Sequence, residues 1–230
     1  LRGARITGRL DLDGTEFDTL LDCDDCVFED TVSLAEANLR TLRITGSRLP
    51  AFKAARLRAT GLVSLEGSSI DGRLRLDHAR LESEVRLADV TTGHVQAHDI
   101  EVRGTLDATG ITVDGEFNVR GGQITGNLVL TGGRFSNPDE RAAVHADAVK
   151  VGGQLRAADV EVYGPLLLRN AQIGSSVGFH RARLSAPGRD ALNAGGGAYQ
   201  WLSYAFVAAG WVLATTIAAG TARVIGGRGA

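Results

Sequence analysis

Small residues stand two places before large apolar ones along most of the chain, in a series that steps by about 10 to 11 residues. It opens with Ala4/Ile6, Thr15/Phe17, Cys26/Phe28, Ala37/Leu39, Ser47/Leu49 and Ala55/Leu57. It continues with Ser68/Ile70, Ala79/Leu81, Ala88/Val90, His98/Ile100, Thr109/Ile111 and Gly122/Ile124. Gly133/Phe135, Asp147/Val149, Ala158/Val160, Ala171/Ile173 and Ala182/Leu184 complete it. Alternating apolar pairs fall between the hits, among them Leu10/Leu12, Val32/Leu34, Leu42/Ile44, Val63/Leu65, Leu74/Leu76 and Phe117/Val119. Glycine recurs where these segments meet, at Gly72, Gly93, Gly104, Gly115, Gly126, Gly153 and Gly164.

A short segment of strict alternation is a half-buried strand, and glycine between two such segments predicts a tight bend. The period of two leaves no 3.6-residue apolar stripe for a helix. A β-sandwich also spaces its strands by roughly 8 to 12 residues, but it does not require one signature repeated down the whole chain. No single unit here can bury its face alone, whereas stacked units pair their backbones and align their inward side chains. The pattern therefore predicts an all-β fold, a right-handed parallel β-helix or solenoid of about 8–9 coils over residues 1–195. Each coil takes two units, about 20 to 22 residues, and the rod is on the order of 40 Å long. The first coil starts in register at Leu1 without an amphipathic cap, which predicts an open edge able to stack end to end.

Two insertions interrupt the array. Ser136-Asn137-Pro138-Asp139-Glu140-Arg141 follows Phe135, and Ser185-Ala186-Pro187-Gly188-Arg189-Asp190 follows Leu184. Four units separate them, so both should leave the same side of the rod, two coils apart. Asn137, Pro138, Asp139, Glu140, Pro187, Gly188 and Arg189 are the candidate interaction loops.

The pattern changes at the Gly-rich hinge of residues 196–200. Residues 201–222 carry no charge and, as a helix, would span about 33 Å, enough for a transmembrane segment. Trp201 and Tyr204 stand where an aromatic belt would lie, and Arg223 opens a short tail of residues 223–230. Gly210, Ala214, Ala218 and Ala222 form a small-residue stripe that permits close helix pairing. Arg181, Arg183 and Arg189 before the segment, against Arg223 and Arg228 after it, place the repeat domain on the cytoplasmic side of a membrane.

Composition narrows the partners. The 230 residues include 30 Gly, no Met and only 5% aromatics, with 23 Arg against 2 Lys, which suits a narrow core repeated many times. A net charge of −2 argues against a nucleic-acid partner and against a DNA-mimicking acidic rod. The expected partners are the membrane and a protein, or a second copy of the chain.

Ala37-Asn38-Leu39-Arg40 and Ala79-Arg80-Leu81 resemble the pentapeptide-repeat motif, with a small inward residue two before a central Leu or Phe. Ile70-Asp71-Gly72-Arg73-Leu74-Arg75-Leu76 and Ile124-Thr125-Gly126-Asn127-Leu128-Val129-Leu130 resemble bactofilin-type β-helix repeats. With the apolar C-terminal segment, the array is similar to actinobacterial repeat proteins often labelled membrane-associated oxidoreductase. That resemblance covers nearly the whole chain and implies a membrane-associated β-helical protein; its motifs specify the rod and no chemistry.

The residues themselves offer little catalysis. No G-x-G-x-x-G joins a strand to a helix, and Gly121 to Gly126 lacks the Lys-Ser/Thr of a P-loop, so no cofactor is expected. Cys23-Asp24-Asp25-Cys26 is the one redox-like pair, but its aspartates would raise the thiol pKa, and both cysteines fall at inward, small-residue positions. His94 and His98, spaced i, i+4, would share a face on a helix but not in a strand and turn, so no metal site is expected from them. Asp11, Asp13, Asp22, Asp24 and Asp25 make an acidic end, the one hint of a carbohydrate-active groove, although outward charges are what any solvated strand face carries. The reading that results is a membrane-associated, non-catalytic scaffold or interaction rod, able to self-assemble, with a redox or carbohydrate-active enzyme as the alternative.

Overall fold

In the computed structural model, residues 1–138 and 142–185 are described. They form a parallel β-solenoid in which each coil has four short sides. The first side is the ladder running from Arg5–Ile6 through Val27–Phe28, Arg48–Leu49 and on to Arg183–Ser185, nine rungs in all. The second side begins at Leu10–Asp11, pairs it with Val32–Ser33, and continues through Phe52–Lys53. The third pairs Asn38 with Arg58 and Leu39 with Ala59; the fourth pairs Leu42 with Val63. Long strands carry the chain round a corner from one side to the next. Glu16–Asp24 and Asn38–Thr45 join the third side to the fourth, while Ser69–Arg75 and Thr91–Gln96 join the first to the second.

Every strand pairing among the described residues is parallel, with partners one coil apart, as in Arg5 with Val27 and Val32 with Phe52. This is the stacked-coil arrangement that the periodicity predicts, and the sandwich is excluded. Most sides carry strands of only two residues, so a coil is a chain of short flat faces and sharp corners.

Two of the four corners are built alike. At the second-to-third corner the turn places Gly14, Glu36, Arg56, His78, Asp99, Gly121, Ala148 and Asn170 at φ between 52° and 70°. At the fourth-to-first corner Asp25, Gly46, Gly67, Asp89, Gly110, Gly132, Asp159 and Arg181 do the same. All ten non-glycine residues with left-handed φ among the described residues stand at these two corners. The conformation costs roughly 1–2 kcal/mol for an L-residue. Its return is an unbroken backbone ladder. The N–H of Arg56 donates to the carbonyl of Asp77 at 2.8 Å, that of His78 to His98 at 3.0 Å, and that of Asp99 to Arg120 at 2.8 Å.

The seven glycines expected at bends do stand at corners, but only Gly115 and Gly164 among them have positive φ. Gly72, Gly93 and Gly126 do not have positive φ; they sit at the first-to-second and third-to-fourth corners, where one coil presses on the next. A Cβ at Gly93 would come within 2.9 Å of the Gly72 carbonyl oxygen, and one at Gly126 within 2.7 Å of the Gly104 carbonyl oxygen. These positions exclude a side chain for want of space.

Inward side chains fill the rod from Cys23 to Val162 as one continuous apolar core. Fully burying each Leu, Ile, Val or Phe contributes about 1.5–3 kcal/mol. The alternating pairs occupy the second and fourth sides as expected: Val32, Leu34, Leu42, Ile44, Val63 and Leu65 are completely buried. The small-before-large series needs correction at six places. Ala55, Ala88, His98, Thr109, Asp147 and Ala158 are turn residues outside the core, and the apolar residues two places on (Leu57, Val90, Ile100, Ile111, Val149 and Val160) stand in the column that Ala37 and Ser47 occupy elsewhere. In the third coil the sizes are reversed, with Leu57 in the small column and Ala59 opposite Leu39. At Ile100/Val102, Ile111/Val113, Val149/Val151 and Val160/Val162 both inward positions carry a branched apolar residue, so the small column is not held to small residues along the rod.

Leu1–Pro187 is one compact unit. The hinge, the membrane segment of residues 201–222, its small-residue stripe and the tail lie outside the described residues. No helix long and apolar enough to cross a membrane occurs among the described residues.

Candidate functional site

Because side chains alternate in and out, the second side presents three outward positions per coil, two residues apart. On successive coils these are Arg73, Arg75 and Asp77; His94, Gln96 and His98; Glu116, Asn118 and Arg120; then His145 and Asp147, the first position being taken there by the fully buried Ala143. Parallel pairing stacks each column about 4.8 Å apart. Four of the five histidines, His78, His94, His98 and His145, thus share this side and its corner, while His180 lies at the fourth-to-first corner. Sequence spacing brought only His94 and His98 together, as neighbours along one strand. The coil repeat adds partners 20 to 29 residues away, and apart from Asp147 beside His145 these are the ones His78, His94, His98 and His145 touch.

Two clusters result. In the first, Glu116 Oε1 is 3.1 Å from His145 Nδ1, and His145 Nε2 is 3.3 Å from Asp147 Oδ2. His94 Nδ1 accepts a 3.1 Å hydrogen bond from the backbone N–H of Glu116. Arg169, one coil on, donates to Asp147 from its backbone N–H at 2.7 Å and from Nε at 2.8 Å. That guanidinium holds the Asp147 carboxyl below the usual carboxylate range. Both nitrogens of His145 thus face carboxylates.

In the second cluster, Asp77-His78 on one coil lies against His98-Asp99 on the next, so each corner column pairs an aspartate with a histidine. The His78 and His98 rings meet edge to face at 4.8 Å. Asp77 Oδ1 is 2.7 Å from His98 Nδ1, and His78 Nδ1 is 3.9 Å from Asp99 Oδ2. The Asp77 side chain is only 4% exposed; its Oδ2 faces Arg75 Nε at 3.2 Å. Its Oδ1 accepts no hydrogen bond, because the contact with His98 is close but out of line for one. His78, His98 and Asp99 are the one trio of potential metal ligands among the described residues, with ligand atoms within 4.8 Å of one another.

The other candidates separate. Cys23 and Cys26 are both free and buried, as their inward positions predict. Burial pushes the Cys23 thiol up, with the neighbouring Cys26 adding to the effect, which is the reverse of what a redox-active thiol needs. The five aspartates of the acidic end do not line one groove. Asp11 pairs with Arg9 at 3.1 Å on the second side, Asp13 accepts from Ser33 Oγ at 2.6 Å, and Asp24 binds Thr45 Oγ1 at 2.9 Å on the fourth side.

Asn137, at the base of the first insertion, is nearly buried, and its Nδ2 donates to the Ala142 carbonyl at 2.7 Å. That bond ties Asn137 to the residue that follows the insertion. Pro138 follows it; Asp139, Glu140, Pro187, Gly188 and Arg189 lie outside the described residues. Strands Arg134–Ser136 and Arg183–Ser185, which lead into the two insertions, are two rungs apart on the first-side ladder, in line with a common side of exit.

Inside the rod a void of about 10 Å³ is lined by apolar residues such as Val119, Leu130 and Phe179, too small for a ligand. A shallow surface depression lies on the third side at the second to fourth coils. Ala59 stands where neighbouring coils place a larger residue, and Asn38, Arg58, Arg80 and Glu82 rim the dent. No family model, curated protein or solved structure matches this chain.

Proposed function

We propose that the protein is a non-catalytic scaffold, an interaction rod whose lateral sides hold an extended protein partner or a second copy of the chain. The observation that supports this reading most directly is the outward grid of the second side. Its side chains are held in three straight columns by a continuous backbone ladder and tied across coils by pairs such as Asp147 with Arg169. A partner meeting such a surface finds its polar groups already ordered, which lowers the entropic cost of binding. In this reading the solenoid winds to the right. Residues 201–222 anchor it to a membrane as a helix, with the repeat domain on the cytoplasmic side. The two insertions add a binding ridge, and nucleic acid is not a partner.

Fractionation of cells expressing the full chain, with and without residues 199–230, tests the anchor. Recovery of the full chain in the membrane and of the shortened chain in the soluble fraction supports it; equal distribution removes it. Cross-linking from a photoreactive group at Asn118 tests the rod. A discrete adduct with a protein or a second copy supports the lateral surface, and loss of that adduct on changing Gln96 and Asn118 to Arg ties it to the second side. Absence of any adduct overturns the interaction reading.

A further inference from the structure

We infer that the second-to-third corner of the fourth and fifth coils is a binding site for a borderline divalent metal ion such as Zn²⁺, Co²⁺ or Ni²⁺. The ligands are His78, His98 and Asp99, and Asp77 positions His98. Two imidazoles and one carboxylate are a donor set suited to these ions, with water completing the coordination at an open site.

Three observations carry the assignment. First, the coil repeat delivers the ligands without any sequence proximity between the two halves. His78 and Asp99 occupy the same turn position on adjacent coils, as do Asp77 and His98, so the site straddles two rungs of a rigid ladder. Second, the ligand atoms lie within 4.8 Å of one another. A shared ion about 2.0–2.2 Å from each needs them somewhat closer. His78 and Asp99 have side chains about half exposed and can close that gap by rotation without moving the backbone.

Third, the buried Asp77 carboxylate has one oxygen without a hydrogen bond, directed at His98 Nδ1 from 2.7 Å. An unsatisfied buried carboxylate oxygen is costly. Coordination of an ion by His98 Nε2 fixes the ring so that its Nδ1–H turns to Asp77 Oδ1, the carboxylate–imidazole–metal arrangement that orients a ligand and raises its basicity. The other histidines of this side do not compete. His145 has both nitrogens against carboxylates, and His94 uses Nδ1 to accept from Glu116 N–H.

The site would clamp the fourth coil to the fifth. Calorimetric titration of the full-length protein with ZnCl₂, and optical titration with CoCl₂, test it. The expected result is one saturable equivalent, weakened at least 10-fold in His78→Ala, His98→Ala and Asp99→Asn. His180→Ala should bind as the parent does. Asp77→Asn should weaken binding about 10- to 100-fold, as loss of a partner behind a ligating imidazole does. Far-UV circular dichroism confirms that each variant folds. If His98→Ala does not, His78→Gln, at a half-exposed position, gives the same reading. Absence of saturable binding below 1 mM, on the order of the weakest sites worth the name, overturns the site. So does unchanged affinity in His78→Ala and Asp99→Asn, and unchanged affinity in Asp77→Asn overturns the positioning role of Asp77.

Discussion

Arg169 grips Asp147 from one coil away, through its backbone N–H at 2.7 Å and its guanidinium Nε at 2.8 Å. The same device recurs at the fourth-to-first corner, where Arg181 Nε and its terminal nitrogen donate to the two oxygens of Asp159 at 2.6 and 2.7 Å. A corner residue of one coil thus neutralises and orients that of the next, and the grid of outward side chains inherits the regularity of the backbone beneath it.

The Asp147 carboxyl is held below its ordinary range by this pairing, so the folded state favours the carboxylate more than the unfolded state does. The contribution is complete above the unfolded value of about 3.9 and is lost as pH falls through the lower folded value. Asp147→Asn is therefore expected to be less stable than the parent at pH 7, by a margin that narrows as pH drops below about 4. Urea denaturation of both proteins at pH 7, 5 and 3 checks this; a margin that stays constant with pH would assign the loss to neutral hydrogen bonds alone.

Phe117 and Phe135 meet edge to face at 5.3 Å between ring centres, one from the second side and one from the first side of the next coil. Both are completely or almost completely buried. Phe117→Ala removes the contact and leaves a cavity in a narrow core that has few ways to collapse. The expected cost is about 3–5 kcal/mol, read as a lower urea midpoint. Phe117→Leu, which keeps most of the volume, should lose much less.

The repeat was plain in the sequence because alternation depends only on which way a side chain points. Leu42/Ile44 and Val63/Leu65 announce buried strands whatever coil they belong to. The exact register was harder to see, since the turn residue preceding a rung is often small too. Ala55 before Leu57 reads like Ala37 before Leu39, although one alanine lies in a turn and the other in the core. The four-sided coil was hidden for a related reason, because two-residue strands leave too little pattern to separate a side from a corner. The cluster of His78, His98 and Asp99 is not legible along one strand, where His94 and His98 are the near pair. The inversion of Asp77-His78 into His98-Asp99 one coil later was the available signal, and it has meaning only once the coil length is known.

Glycine plays two separate roles, and substitution distinguishes them. Gly132 adopts φ of 68°, and a Cβ there would meet only the Gly110 backbone nitrogen at an ordinary 4.0 Å, so Asn, which tolerates that conformation, should replace it at a cost of a few tenths of a kcal/mol. Gly126→Ala meets the Gly104 carbonyl oxygen at 2.7 Å and forces two coils apart, with an expected loss of about 1–3 kcal/mol. Thermal melts of the two variants should therefore rank Gly126→Ala well below Gly132→Asn. The reverse order would mean that bending, not close approach, is what the Gly126 position demands.

The thiol of Cys23 is raised by burial, with Cys26 beside it as the second cause, so the folded state favours the neutral thiol. The sign is opposite to that at Asp147: nothing is gained or lost below the unfolded thiol value of about 8.5, and stability falls as pH rises above it, because only the unfolded chain can ionise freely. Cys23→Ala should remove part of that alkaline loss, at the cost of a small cavity near Ile44. In the folded parent neither thiol should react with a thiol-specific disulfide reagent at pH 8, while both should react in urea. Rapid labelling of the native protein at Cys23 would mean that the first coils open readily, and would return the Cys23/Cys26 pair to consideration as a redox site.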